Sequence, residues 1–194
     1  MSRSQILLLV VALIATPVAA EPVWVPLTDD AEGAPVAIEV VRATAHTVEI
    51  DVEVGGLWLE AVTTEAGGFT RVEIPDAGWT GAVGGPQLPG FRRLVEIPAG
   101  AAATVRTLAV ERQTVRLADR GLPAQPYPRQ APRPKCAGEA WSFSFDPDLY
   151  EKAERGETAA LRGPYGLRDH RMVLLNVVPV SWTATEGTLE VVTR

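Results

Sequence analysis

Val48-Glu49-Ile50-Asp51-Val52-Glu53-Val54 alternates apolar and acidic side chains without a break. Successive side chains of an extended chain point to opposite faces, so this run is a strand with one apolar and one acidic face. Gly55-Gly56 closes it, and Leu57 to Thr64 resumes in extended form, which predicts a hairpin between the two runs. Ala37 to Ala43 is the expected earlier partner. The same pattern recurs down the chain. Gly67-Gly68 precedes Phe69-Thr70-Arg71-Val72-Glu73-Ile74, and Pro75, which lacks the donor a ladder needs, stops it. The turn Gly84-Gly85-Pro86-Gln87-Leu88-Pro89-Gly90 precedes a strand from Arg93 to Ile97, stopped by Pro98.

Further along, Ala103 to Leu117 is rich in Val and Thr and is expected to be one long extended run, with helix as the competing reading. Trp141 to Phe145 reads as a short aromatic strand. Asp146-Pro147-Asp148 is a capping sequence for a turn or two of helix over Leu149 to Arg155. Arg171 to Val180 is a strongly apolar strand expected to be central, and Thr188 to Thr193 begins another. Many short strands separated by turn signals predict an all-β fold, a β-sandwich of antiparallel strands with at most one short helix. A barrel stays open as an alternative. The lack of long helical patterns argues against the α/β folds that host many hydrolases.

The first twenty residues have a different character. Arg3 is followed by the apolar run Ile6 to Ala15, then Thr16-Pro17 and the small residues Val18-Ala19-Ala20. This is the pattern of a secretory signal peptide, and the run is too short to span a bilayer. Cleavage after Ala20 leaves a domain of residues 21–194, expected to be secreted, periplasmic or at the cell surface, with no membrane span. Of 18 basic and 24 acidic residues only Arg3 lies in the leader, so the mature surface is acidic. That argues against nucleic acid as a partner. Cys136 is the only cysteine, so no internal disulfide forms and packing alone must hold the fold.

Gly121 to Gly138 holds Pro123, Pro126, Pro128, Pro132 and Pro134, with Arg129, Arg133 and Lys135 among them. Proline at this density opposes regular pairing and is expected to give an exposed, extended loop.

Catalytic chemistry finds little footing. A nucleophile needs a base within hydrogen-bond reach. The only histidines are His46 and His170, and Cys136 sits in the proline-rich stretch rather than on a rigid shelf. Gly-x-Ser-x-Gly is absent, and Ser142, Ser144 and Ser181 fall in strand-like sequence. Two distant histidines and one cysteine make no zinc set, neither Asp29-Asp30 nor Asp146-Pro147-Asp148 follows a calcium loop, and no phosphate loop is present. No cofactor is expected. The five tryptophans, Trp24, Trp58, Trp79, Trp141 and Trp182, are read first as core filling. Gathered on one face they would bind sugar or protein.

Gly84-Gly85-Pro86-Gln87-Leu88-Pro89, followed by Leu94-Val95-Glu96-Ile97-Pro98, resembles the turn and strand of the propeptides of gingipain-type cysteine peptidases. Phe145-Asp146-Pro147, Leu161-Arg162-Gly163, Leu174 to Val180 and Trp182 resemble that family's later elements in order and spacing, so the resemblance runs from Ala37 to the C-terminus. It implies a non-catalytic β-sandwich prodomain, here truncated at its C-terminal end. Such a prodomain keeps a caspase-like cysteine peptidase domain latent and helps it fold. That domain would lie in the same precursor or in a neighbouring gene product. The resemblance implies latency through a substrate-like basic residue on a loop, and the exposed, stiff, basic proline-rich segment makes Arg129, Arg133 and Lys135 the candidates. Arg133 lies between Pro132 and Pro134, where a following proline hinders cleavage; Arg129 precedes Gln130 and lacks that protection. Arg194 is a candidate maturation cut. The alternative is a free-standing secreted β-sandwich module that binds carbohydrate or protein.

Overall fold

A computed structural model describes residues 21–28, 36–132, 142–152 and 156–194. Residues 1–20, the expected signal peptide, and Arg133, Lys135, Cys136 and Trp141 lie outside these described residues. The elements run β1 (Val23–Pro26), β2 (Val36–Ala43), β3 (Val48–Val54), β4 (Gly56–Thr64), β5 (Gly67–Glu73), β6 (Gly78–Thr80) and β7 (Leu88–Glu96). After these come β8 (Arg112–Arg116), α1 (Pro147–Glu151), β9 (Ala159–Leu167), β10 (His170–Val177), β11 (Val180–Thr183) and β12 (Thr188–Val192). The strands form four antiparallel sheets in the orders β1-β4-β5, β6-β7-β10-β9, β11-β12-β8 and the two-stranded β2-β3. The protein is all-β with one short helix, as the strand pattern predicts.

One apolar cluster joins the four sheets. Leu57, Leu59, Phe69 and Val72 reach it from β4 and β5, Val180, Trp182, Leu189 and Val191 from β11 and β12, and Phe91 from β7. In β4, Leu57 and Leu59 are buried while Trp58 between them is exposed, the period of two that a half-buried strand requires. Val54, at the end of β3, is fully buried, and its N–H donates to the Thr193 carbonyl at 3.0 Å. The β2-β3 ribbon is thereby rooted in the core, while Val40, Val41 and Val48 at its far end stay exposed.

β2 and β3 pair as the sequence predicts, and β10 is central between β7 and β9. The expected hairpin across Gly55-Gly56 is not formed. β3 pairs only with β2, and β4 pairs with β1 and β5. Gly56 has another purpose: a Cβ there would run into the Trp24 indole, which lies across it. A glycine that makes room looks in sequence like a glycine that turns the chain.

Two further expectations are corrected. The long run from Ala103 shrinks to β8 and to Glu111 just before it, which exchanges backbone hydrogen bonds with Thr193 and Arg194 at 2.9 and 2.8 Å, and residues 101–110 pair with no described strand. Val105 and Leu108 there are exposed, so the stretch lacks both a ladder and a buried face despite its β-branched composition. Ser142 to Phe145 is not a strand. It is nevertheless built in, because Phe143 and Phe145 pack against the core and stack around Phe69 at 6.2 and 5.3 Å. The helix forms where its caps predict: Asp146 accepts from the Asp148 N–H at 3.0 Å and Pro147 occupies the first turn, but α1 ends after a single turn.

Candidate functional site

The proline-rich segment from Gly121 to Pro132 is not a free loop. It is a strap bound along the body. Tyr127 donates to the Thr70 carbonyl and Thr70 donates to the Gln125 carbonyl, both at 2.8 Å, on the rim of β5. One step on, Gln87 donates to Tyr127 at 2.9 Å, Arg129 to Gly85 at 2.8 Å, and Gly84 to Arg129 at 2.8 Å. Pro126 and Pro128 have no N–H to offer. Alternating them with Tyr127 and Arg129 leaves each available N–H pointing at an acceptor on the body. The proline carbonyls are used as well: Thr70 Oγ1 donates to Pro123 at 2.6 Å and Tyr150 Oη to Pro126 at 2.6 Å. The Trp182 indole N–H donates to Ala124 at 2.9 Å. Proline density opposed a sheet but not single bridges, and prolines fix φ, which lowers the entropy lost on docking.

The Gly/Pro turn is the other half of this seam. Gly84 has φ +86°, and a Cβ there would lie 3.1 Å from the Asp146 Cβ. The turn is wedged between the strap and the start of α1, with the Asp146 N–H donating to the Gly84 carbonyl at 3.0 Å. The most recognisable stretch of the sequence is thus a structural joint.

Where the strap ends there is a clamp. The Gln130 side chain donates through Nε2 to the Pro128 carbonyl at 2.8 Å and the Ser144 carbonyl at 3.0 Å, and accepts from the Ser144 N–H through Oε1 at 2.9 Å. One side-chain amide therefore imitates a strand partner for Ser144. It ties together the two ends of the stretch that carries Arg133, Lys135 and Cys136. Below it, Tyr127, Phe143, Phe145 and Tyr150 surround the buried Phe69 ring at 5.3 to 6.4 Å. Burial raises the Tyr150 phenol well above its ordinary range and keeps it a neutral donor to Pro126.

Of the three basic candidates, only Arg129 is among the described residues. Its backbone is consumed by Gly84 and Gly85, and its Nη1 donates to the Gly81 carbonyl at 2.6 Å. Arg129 is thus an anchor of the strap. His170 opens β10, with Nδ1 2.8 Å from Glu96 on an exposed surface. Ser144 is the clamped residue, and no cluster of three metal-binding side chains occurs among the described residues. Trp182 is in the core, Trp24 and Trp58 pack on each other at 5.2 Å, and Trp79 lies in a different sheet, so these four share no single face. Arg194 pairs with Asp51 at 2.9 Å, which raises its pKa.

Sequence reasoning missed the clamp and a cavity. Gln130 is a single glutamine among prolines and carries no pattern. The cavity, of about 720 Å³, lies where β6, β7, β9 and β10 meet β8, β11 and β12, and Arg92, Arg112, Arg129 and Arg162 all line it. These arginines are scattered along the chain, and only the fold brings them together. No helix among the described residues is long and apolar enough to cross a membrane.

The all-β fold with one short helix is shared with gingipain prodomains. The chain overlays on one from the structure addressing the zymogenic latency of gingipain K from Porphyromonas gingivalis. The TM-score is 0.74 at 22% identity, covering 89% of this chain and 93% of that one. It also overlays on a chain of the complex of Porphyromonas gingivalis RgpB pro- and mature domains, with a TM-score of 0.69 at 18% identity and 80% of each chain covered. By sequence it is a relative of Lys-gingipain HG66 and Lys-gingipain W83 from Porphyromonas gingivalis, each 30% identical over 139 residues, or 69% of this chain. It spans 8% of the length of those curated relatives. No family model matches the chain.

Proposed function

We propose that this chain is a secreted prodomain, residues 21–194, exported by the leader at residues 1–20. It keeps a gingipain-type cysteine endopeptidase latent by occluding its catalytic cleft, and it assists that enzyme's folding. The peptidase is a caspase-like domain of the same precursor or of a neighbouring gene product. The observation that carries the reading is the Gln130–Ser144 clamp. It fixes both ends of a stretch with Arg133 and Lys135 on a body held rigid by the strap. A basic segment presented on a rigid platform loses less entropy on entering a cleft than a free one.

The inhibitory contact is assigned to Arg133, with Lys135 beside it. Pro134 directly after Arg133 opposes cleavage at that bond. Arg129 serves instead to hold the strap. The test adds the purified mature chain, and its Arg133→Ala variant, to the cognate peptidase and measures residual activity. The unaltered chain is expected to inhibit and the variant to lose most of that inhibition. Unchanged inhibition by Arg133→Ala removes Arg133 from the role, and no inhibition by the unaltered chain overturns the latency reading.

A further inference from the structure

The chain carries a formal charge of −6, yet the cavity between the sheets is cationic. Arg92 comes from β7, Arg112 from β8, Arg129 from the strap and Arg162 from β9, and among the described residues Glu190 is the one carboxylate that lines the same space. Glu190 lies 3.9 Å from Arg112. Arg92 donates only to the Trp79 carbonyl, at a long 3.4 Å, and Arg129 spends one of its N–H groups on Gly81. Arg162 has no ion-pair partner among the described residues. A guanidinium offers five donors in a planar fork matched to carboxylate geometry, and Arg92, Arg129 and Arg162 use few of theirs on the protein itself.

The cavity also borders a strand edge that no described strand covers. Among the described residues β11 is the outer strand of its sheet and pairs only with β12, and Val180, Ser181 and Trp182 of β11 line the cavity. An edge strand presents unpaired backbone groups that an extended peptide can complete. From the charge and the edge together, we infer that this cavity is a binding site for an extended acidic peptide segment. Its carboxylates would pair with Arg92 and Arg162 while its backbone runs along β11. A sulfated glycan or a free phosphate satisfies the guanidinium groups but not the strand edge. The inference goes beyond the latency reading and stands on the cavity's own chemistry.

The test uses the mature chain and a fluorescent peptide of alternating Glu and Val, with fluorescence anisotropy as the readout. Saturable binding is expected, weakening with added salt. The Arg92→Gln/Arg162→Gln double variant is expected to lower affinity about tenfold or more, since two charge-assisted contacts are lost. The exposed Arg93, next to Arg92 but on the other face of β7, provides the control: Arg93→Gln is expected to bind as the unaltered chain does. A proline-substituted peptide, unable to extend the sheet, is expected to bind more weakly. Several results overturn the inference: no binding, equal binding by a Gln-for-Glu peptide, an equal effect of Arg93→Gln, or displacement by inorganic phosphate or heparin at concentrations matching the peptide's. Circular dichroism of each variant separates lost binding from lost fold. Because no peptidase is present, failure here leaves the inhibition assay above unaffected, and the reverse holds too.

Discussion

The side-chain amide of Gln130 both donates to and accepts from the backbone of Ser144, at 3.0 and 2.9 Å, across fourteen residues of sequence. It does what a neighbouring strand does, at a place where prolines leave no strand to do it. The result is a stretch of chain whose two ends are fixed at one point on the body.

Gln130→Ala removes that tie and leaves the Ser144 N–H and two carbonyls without their partner. Loss of such bonds costs about 1–3 kcal/mol for partly buried groups. A downward shift of a few degrees in the melting temperature is expected, with a larger proportional loss of peptidase inhibition than the stability change explains. Differential scanning calorimetry and an inhibition titration check the two parts, and full inhibition by the variant would separate the clamp from the function.

Tyr150→Phe deletes the hydroxyl that donates to the Pro126 carbonyl at 2.6 Å. The ring packing survives, so the expected cost is that of a lost buried hydrogen bond, about 1–3 kcal/mol. The pH dependence follows from the raised phenol pKa. The unfolded chain releases this proton near pH 10 while the folded chain retains it. Between those two pKa values the folded state holds more protons, so stability is full below about pH 10 and declines above it. Urea melts at rising pH are expected to show a steeper alkaline loss for the unaltered chain than for Tyr150→Phe.

Phe69→Ala empties the centre of the aromatic cluster under the clamp. A buried Phe-to-Ala change costs about 3–5 kcal/mol. The four rings around it lose their common support, so faster protease nicking between residues 121 and 145 is expected than elsewhere in the chain. Limited proteolysis with mass spectrometry reads this out, and uniform nicking along the chain contradicts it.

Gly84→Ala introduces a side chain at φ +86° and 3.1 Å from Asp146. The left-handed conformation alone costs about 1–2 kcal/mol for a residue with a Cβ. Destabilisation with retained inhibition at low temperature is expected, because the turn is a joint rather than a contact surface. A chemical denaturation curve paired with the inhibition assay tests it.

Much of the architecture was legible because its signals are local. The alternation of Val48 to Val54, the prolines after Ile74 and Ile97, and the capping Asp146 each depend only on adjacent residues. They placed β3, the end of β5, the end of β7 and the start of α1. The failures have one cause. Gly55-Gly56 reads as a turn because a glycine that admits the Trp24 ring carries no different letter. The run from Ala103 reads as a strand because composition does not reveal that no neighbour reaches it. The proline-rich segment reads as free because proline's effect on its own backbone is local, whereas the acceptors offered by Thr70, Gly85 and the Gly/Pro turn are distant.

The sequence by itself determined that this protein is all-β, where several of its strands begin and end, and which family it resembles. Those properties follow from side-chain alternation and backbone stereochemistry, which act over a few residues. Tertiary structure decided which strands pair, that the proline-rich segment is a strap, that Arg129 is an anchor, and that four dispersed arginines face one cavity. Each of these requires groups far apart in sequence to meet, through hydrogen bonds and packing that exist only once the core has closed.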